Sequence, residues 1–261
     1  MFKRKKLIAV LCIIAISVGS LTVFISRQYV LPILMYHSVS ASVPQGNRII
    51  VSVDTFQRQM KFLKEHNYNV LTLEAAGDLI KNKKKIPARS IVLTLDDGYK
   101  DNYIYALPVL KKYNFPATIF IVFSQVGMPG MLNWDEIKQM QDSGLITFGS
   151  HTINHPFLEF VKTDEELIRE IGDSKNLMEN NLNKVVNTFS YPMGRFSERA
   201  RNLVIACGYK VGVVTNPGKK YPNDDVFALK RLRISENAKN LFVFWIESSG
   251  YYNFIREHRH K

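Results

Sequence analysis

Ser90-Ile91-Val92-Leu93-Thr94-Leu95-Asp96-Asp97-Gly98 is the stretch on which the fold turns. Its first six residues are β-branched and almost continuously apolar, the pattern of a strand buried on both faces, and Asp96-Asp97-Gly98 ends it. Active sites of open and closed α/β sheets sit at such carboxyl ends. Adjacent aspartates leave a strand end in different directions, so one can ligate a cation while the other takes a proton from a bound water. Two charges this close repel, and a divalent cation is the usual remedy. Asp-Gly on its own is equally a turn signal.

Outward from this strand, apolar runs at 33–36, 118–123, 145–148 and 210–214 alternate with helical patterns at 53–66 and 164–181. That alternation predicts parallel β/α units. A chain of 261 residues, 46% of them hydrophobic, can bury one sizeable core, so one catalytic domain is expected.

The histidines arrive in Gly149-Ser150-His151-Thr152-Ile153-Asn154-His155-Pro156, behind the apolar run Leu145-Ile146-Thr147-Phe148. Their spacing predicts two imidazoles on the same side of one helical turn, able to converge on a metal, with Pro156 limiting the turn. Matched with a two-carboxylate strand end, the pair points to a hydrolytic metal site with a base beside it.

Three segments then become recognisable. Thr94-Leu95-Asp96-Asp97-Gly98, Ser150-His151-Thr152 followed by His155, and Phe189-Ser190-Tyr191-Pro192-Met193-Gly194 resemble, in that order, the first three motifs of the polysaccharide deacetylases, carbohydrate esterase family 4. Pro32-Ile33-Leu34-Met35-Tyr36-His37-Ser38-Val39 resembles the opening of the subgroup with the exported deacetylases of poly-N-acetylglucosamine, and the likeness runs over roughly residues 31–246. The resemblance implies a distorted β/α barrel with fewer than eight strands that removes acetyl groups from N-acetylated sugars with a divalent metal, commonly zinc. By position it implies Asp97, His151 and His155 as ligands and Asp96 as general base. Three protein ligands leave a position open, as a catalytic zinc requires. It also implies that the Met193 backbone N–H holds the oxyanion. Tyr191 and Pro192 would fix that loop at the substrate, and Gly194 would let the backbone approach closely. Trp134, in Leu132-Asn133-Trp134-Asp135, reads either as a sugar-stacking residue or as a core residue at a helix entry.

Several positions depart from the family pattern. Many members carry arginine where Ser190 stands and an aromatic residue where Met193 stands, and the usual late Leu-x-His is missing, since no histidine occurs between His155 and His258. Arg231, in Ala228-Leu229-Lys230-Arg231-Leu232-Arg233-Ile234-Ser235, resembles the late arginine of the poly-N-acetylglucosamine subgroup. Arg233 shares its strand face by period two and is the alternative, and a basic edge strand would look the same. For the general acid, the expectation is His37. An imidazole titrates near neutrality, His37 closes the run 33–36, and first and last strands of a closed barrel are neighbours. His66 ends a helical pattern, and His258 and His260 lie in a basic tail. Two other readings are a sugar-binding pseudo-enzyme and a non-haem iron oxygenase built on two histidines and one carboxylate. Export and the spare Asp96 speak against the oxygenase.

Lys3, Arg4, Lys5 and Lys6 precede residues 7–25, which carry no formal charge, and Arg27 follows. This predicts a membrane anchor at 1–27 with a cytoplasmic start, an exported catalytic domain over 28–247 and a basic tail over 248–261. A cleaved signal peptide, giving a secreted protein, is the competitor. Of the net charge of +12, the first 27 residues hold +5 and residues 256–261 hold +2. Much of the remaining +5 falls on Lys81, Lys83, Lys84 and Lys85 in an expected surface loop. An anionic wall polymer or lipid surface suits that charge, whereas no motif supports nucleic acid. Cys12 and Cys207 cannot pair within the chain, and a monomer is expected.

Overall fold

The computed structural model describes residues 2–215 and 222–258, and their side chains except those of residues 2–10, Arg27 and His258. His260 lies outside the described residues, as does the side chain of His258. A long helix, α1 (Phe2–Arg27), precedes the body. The strands in chain order are β1 (Ile33–Tyr36), β2 (Ser38–Ser40), β3 (Ile50–Ser52), β4 (Asn69–Leu71), β5 (Ser90–Leu95), β6 (Ala117–Ile121), β7 (Ile146–Ser150), β8 (Thr188–Ser190), β9 (Val211–Thr215) and β10 (Leu229–Arg233). The helices between and after them are α2 (Val53–Glu65), α3 (Leu73–Lys81), α4 (Leu107–Tyr113), α5 (Trp134–Asp142), α6 (Asp164–Ile168), α7 (Ser174–Leu182), α8 (Glu198–Ala206), α9 (Leu241–Ser248) and α10 (Tyr252–His258).

Seven strands close a parallel ring in the order β1, β10, β9, β8, β7, β6, β5, and β5 returns to β1. β5 divides one edge between two partners: β4 pairs with its first half, Asn69↔Ser90 to Leu71↔Val92, and β1 with its second, Ile33↔Val92 to Tyr36↔Leu95. The barrel therefore has fewer than eight strands in its ring, as expected. Period two sorts the residues of each strand. Ile33, Val92, Phe120, Val213 and Leu229, from five ring strands, form one buried cluster in the interior. Their alternates Leu34, Leu93, Ile119, Val214 and Leu232 belong to the larger cluster between ring and helices. The inward column of β5 is thus Val92, Thr94 and then Asp96.

Strands and helices fall at the expected places with ends shifted by one or two residues. The helical pattern at 164–181 is interrupted: α6, capped by Thr163 Oγ1 accepting from the Glu166 N–H at 3.2 Å, runs into a widened π turn, Arg169–Asp173, before α7. The segment expected as a tail carries α10, where Asn253 is buried and Glu257 pairs with the buried Lys230 at 3.0 Å. Among the described residues no helix is long and apolar enough to cross a membrane. Along α1, the described Leu11, Ile13, Ile14, Ile16, Leu21 and Phe24 side chains are exposed, and Phe24 meets Phe254 of α10 edge to face.

Candidate active site

Every candidate ligand and base stands at the carboxyl rim of the ring. Asp96 keeps the inward direction of β5 and is 3% exposed. At Asp97 the backbone turns left-handed (φ 72°), so its carboxylate leaves the strand line and comes to the rim. The expected difference in direction between the two aspartates is thereby realised.

Arg231, 1% exposed, reaches across the interior from β10. Its Nη1 and Nη2 donate to Asp96 Oδ1 and Oδ2, both at 2.6 Å, Nη1 also donates to Thr94 Oγ1 at 3.1 Å, and Nη2 to Ser190 Oγ at 2.8 Å. The guanidinium lies over the Phe120 ring, 5.4 Å from its centroid. Burial alone would raise the Asp96 carboxyl. The charge and two hydrogen bonds of Arg231, with His151 and His37 nearby, instead hold it well below the usual carboxylate range. Arg233, the alternative, is exposed at the strand end and makes no such pair. Ser190, where many family members have arginine, is a small partner that leaves room for Arg231.

On the rim, one ligand atom each from Asp97, His151 and His155 lies within 4.8 Å of the others. Asp97 Oδ1 is 3.6 Å from His151 Nε2 and 3.8 Å from His155 Nε2. In a tetrahedral zinc site with bonds of about 2.0–2.1 Å, ligand atoms stand roughly 3.4 Å apart, so the trio needs only a slight contraction to hold a divalent cation. His151 Nδ1 donates to the Ser190 carbonyl at 2.7 Å, which places its proton on that nitrogen and leaves the Nε2 lone pair for a metal. Burial pushes His151 down to about 3, His155 and Arg231 adding to the effect against the opposing Asp96. Burial likewise lowers His155. Both imidazoles are therefore neutral at pH 7, the form that ligates. Asp97 is pushed up to about 6, first by burial and then by the charge of Asp96, although the Tyr99 hydroxyl donates to it. The donor set fits a divalent metal.

The histidine pair does not sit on a helical turn. β7 ends at Ser150, and the segment beyond it is irregular, with Thr152 (φ 69°) and His155 (φ 59°) both left-handed. The convergence inferred from i,i+4 spacing is achieved by an irregular loop instead. The Thr152 hydroxyl accepts from the His155 N–H at 2.9 Å, and Glu170 accepts from the loop's next two N–H groups.

His37 follows β1 at the same rim. Its carbonyl accepts from Asn102 Nδ2 at 2.8 Å, and Asp101 takes the next-but-one N–H, Val39, at 3.2 Å. Burial holds its pKa below the ordinary imidazole value, Arg231 and Arg233 adding to the effect against the opposing charges of Asp96 and Asp97. Its buried Nδ1 has no hydrogen-bond partner.

The third motif is a tight turn after β8, with Met193 left-handed (φ 55°) and its side chain 56% exposed. A Cβ on Gly194 (φ 68°) would lie 2.4 Å from the Thr215 nitrogen, so only glycine fits. Tyr191 is fully buried between Phe189 and Phe196, and Pro192 is buried. Buried beneath the turn, both fix the loop from within the fold. Trp134 begins α5 and packs on Phe123, 5.6 Å between centroids, which places it against the core. Sequence reasoning passed over Thr94, Tyr99, Asn102 and Glu170. Of these, Thr94, two residues before Asp96 in the first motif, and Tyr99, beside Asp97-Gly98, had a positional signal.

A profile of the polysaccharide deacetylase family matches residues 83–212. YxkH of Bacillus subtilis (strain 168), named for the same family, is 37% identical over 219 residues, which are 84% of this chain and 76% of that protein. The poly-beta-1,6-N-acetyl-D-glucosamine N-deacetylase of Staphylococcus aureus (strain MRSA252) is 32% identical over 208 residues, 75% of this chain and 71% of that protein. Among solved structures, Streptococcus pyogenes deacetylase PplD in complex with acetate matches with a TM-score of 0.74 at 32% identity, over 82% of this chain and 97% of that one. Likeness over most of the chain thus joins a closed parallel barrel whose rim gathers an aspartate pair and two histidines, and the chain belongs to the polysaccharide deacetylase family.

Proposed function

We propose that this protein hydrolyses the N-acetyl groups of an N-acetylglucosamine-containing extracellular or cell-wall polysaccharide, using a divalent metal, zinc by preference of the donor set. The observation that carries the reading is the Arg231–Asp96 pair set directly beneath the Asp97, His151 and His155 cluster. It supplies the arginine whose absence from the third motif motivated the pseudo-enzyme reading, and so favours turnover.

Asp97, His151 and His155 would hold the cation, which supplies polarisation of the acetyl carbonyl and a lowered pKa for a neighbouring water. Asp96, kept ionised by Arg231, accepts the proton of the attacking water, and His151 Nε2 stands 3.8 Å from its Oδ2. The bidentate Arg231 fork fixes the plane of that carboxylate. The backbone N–H of Met193 offers a donor for the oxyanion as the carbonyl becomes tetrahedral. His37 protonates the leaving amine. Incubation of the protein with defined N-acetylglucosamine polymers and with peptidoglycan should release acetate, and chelator should stop it. No acetate from the zinc-loaded protein on any of them would overturn the assignment, and oxygen consumption with ferrous iron would favour the oxygenase instead.

The basic start and the uncharged residues 7–25, the first four of which lie among the side chains not described, support placing the catalytic domain outside the cell on a single membrane span. Retention in membranes through high-salt and carbonate washes is expected, and a mature protein that begins after residue 27 would replace the anchor by a signal peptide.

A further inference from the structure

The loop between the two histidine ligands is held in a conformation that its own residues disfavour. Thr152 is β-branched and left-handed, and His155 is left-handed as well. Such conformations persist only where surrounding contacts over-determine them. The contacts converge on one side chain. Glu170, 4% exposed, accepts from the Ile153 N–H at 3.0 Å and the Asn154 N–H at 2.9 Å through Oε2, and from Asn154 Nδ2 at 2.7 Å through Oε1. Two successive N–H groups turned onto one carboxylate form an anion-binding nest, here filled from within the chain. Glu170 lies in the widened turn Arg169–Asp173, and one helical turn further on Ser174 Oγ meets Ser150 Oγ at 2.7 Å. The same helix face therefore grips the residue before the first histidine and the two residues before the second.

We propose that Glu170 is a positioning residue that presets His151 and His155 for the metal. The inference rests on reading Asp97, His151 and His155 as the metal site. It does not place Glu170 in contact with metal or substrate. Groups that orient ligands commonly change metal affinity by about 10–100-fold when removed, and Glu170→Ala should weaken zinc binding by an amount in that range. Glu170→Gln keeps one carbonyl oxygen for the two N–H groups but turns its amide toward Asn154 Nδ2, so it should lie between wild type and alanine. Asn154→Ala removes that conflict and should make the Gln substitution less harmful, a coupling that a double-mutant cycle reads directly.

The experiment is zinc affinity by competition with a chromophoric chelator, run on wild type, Glu170→Ala, Glu170→Gln, Asn154→Ala and the Glu170→Gln, Asn154→Ala double variant, beside the melting temperature of each metal-free protein. Weakened affinity at temperatures well below each melting point, with Asn154→Ala relieving the Gln defect, is the expected result. Wild-type affinity in Glu170→Gln and Glu170→Ala, or a lowered melting point with affinity unchanged, would overturn the positioning role. Failure of the wild type itself to bind zinc or another divalent cation would instead remove the metal-site reading beneath it.

Discussion

The barrel interior around Asp96 and the rim around Asp97 are one peptide bond apart and differ in how their charge is answered. Inside, Asp96 has both oxygens on one guanidinium, which is itself shared with Thr94 and Ser190 and stacked on Phe120. On the rim, Asp97 has a tyrosine hydroxyl, two neutral imidazoles and a like charge next door, and burial pushes its carboxyl up to about 6. The interior answers its charge within the chain; the rim gathers three donor groups that could hold a cation. Period two explains the split, because β5 carries Asp96 inward with Thr94, and the left-handed turn at Asp97 ends the strand.

Breaking the interior should have the largest effect. Arg231→Met leaves the Asp96 carboxylate buried without its partner, a change that typically costs about 3–5 kcal/mol. Urea unfolding should show a loss of that size. The acid limb of the rate profile should move to higher pH, since the raising effect of burial on Asp96 then loses its largest opposition. Arg231→Lys should rescue little, because a point charge cannot reproduce the bidentate fork. Unchanged stability in Arg231→Met would mean that the interior is not the closed network described.

Removing His37 should sharpen the comparison from the rim side. His37→Ala should retain fold and metal while turnover falls by about 10²–10⁴-fold, the usual range for a lost proton donor. The basic-side fall of the rate profile should change with it. Wild-type turnover would move the acid role to another group.

The smallest effect concerns pH. A carboxyl raised to about 6 in the fold holds its proton after the unfolded chain, with its ordinary value near 3.8, has lost it. Stability of the metal-free protein from this group is therefore present at low pH and is lost as pH rises toward about 6. Asp97→Asn removes that one contribution, so between about pH 4 and about pH 7 the wild type should lose stability relative to the variant, a difference read from thermal melts of both proteins at the two pH values. The same titration makes zinc binding weaken as pH falls below about 6.

The sequence made the interior more legible than the rim. β5 is visible because a strand covered on both faces has to be continuously apolar, and period two alone carries Arg231 and Arg233 to one face. Choosing between them needed the ring, since Arg233 falls at the exposed strand end beyond reach of Asp96. Closure of β1 on β5 came from family likeness, for no local pattern encodes it. The spacing of His151 and His155 suits a helix equally well, and the loop wins because Glu170 takes two of its N–H groups. Glu170 itself was invisible: a glutamate in a polar helical stretch reads as surface until its partners, Ile153 and Asn154, 17 and 16 residues back in the chain, are known. β8, only three residues long, gives too short a pattern to read, although its end carries Ser190 to Arg231.

The most direct test sets Asp96→Asn beside Asp97→Asn and measures, on the same preparations, bound metal by mass spectrometry and acetate release. Asp96→Asn should keep its metal and lose turnover, because an amide can hydrogen-bond Arg231 but cannot take a proton. Asp97→Asn should lose the metal and turnover together. Turnover that survives in Asp96→Asn, or metal that survives in Asp97→Asn, would contradict the division of labour between the two aspartates.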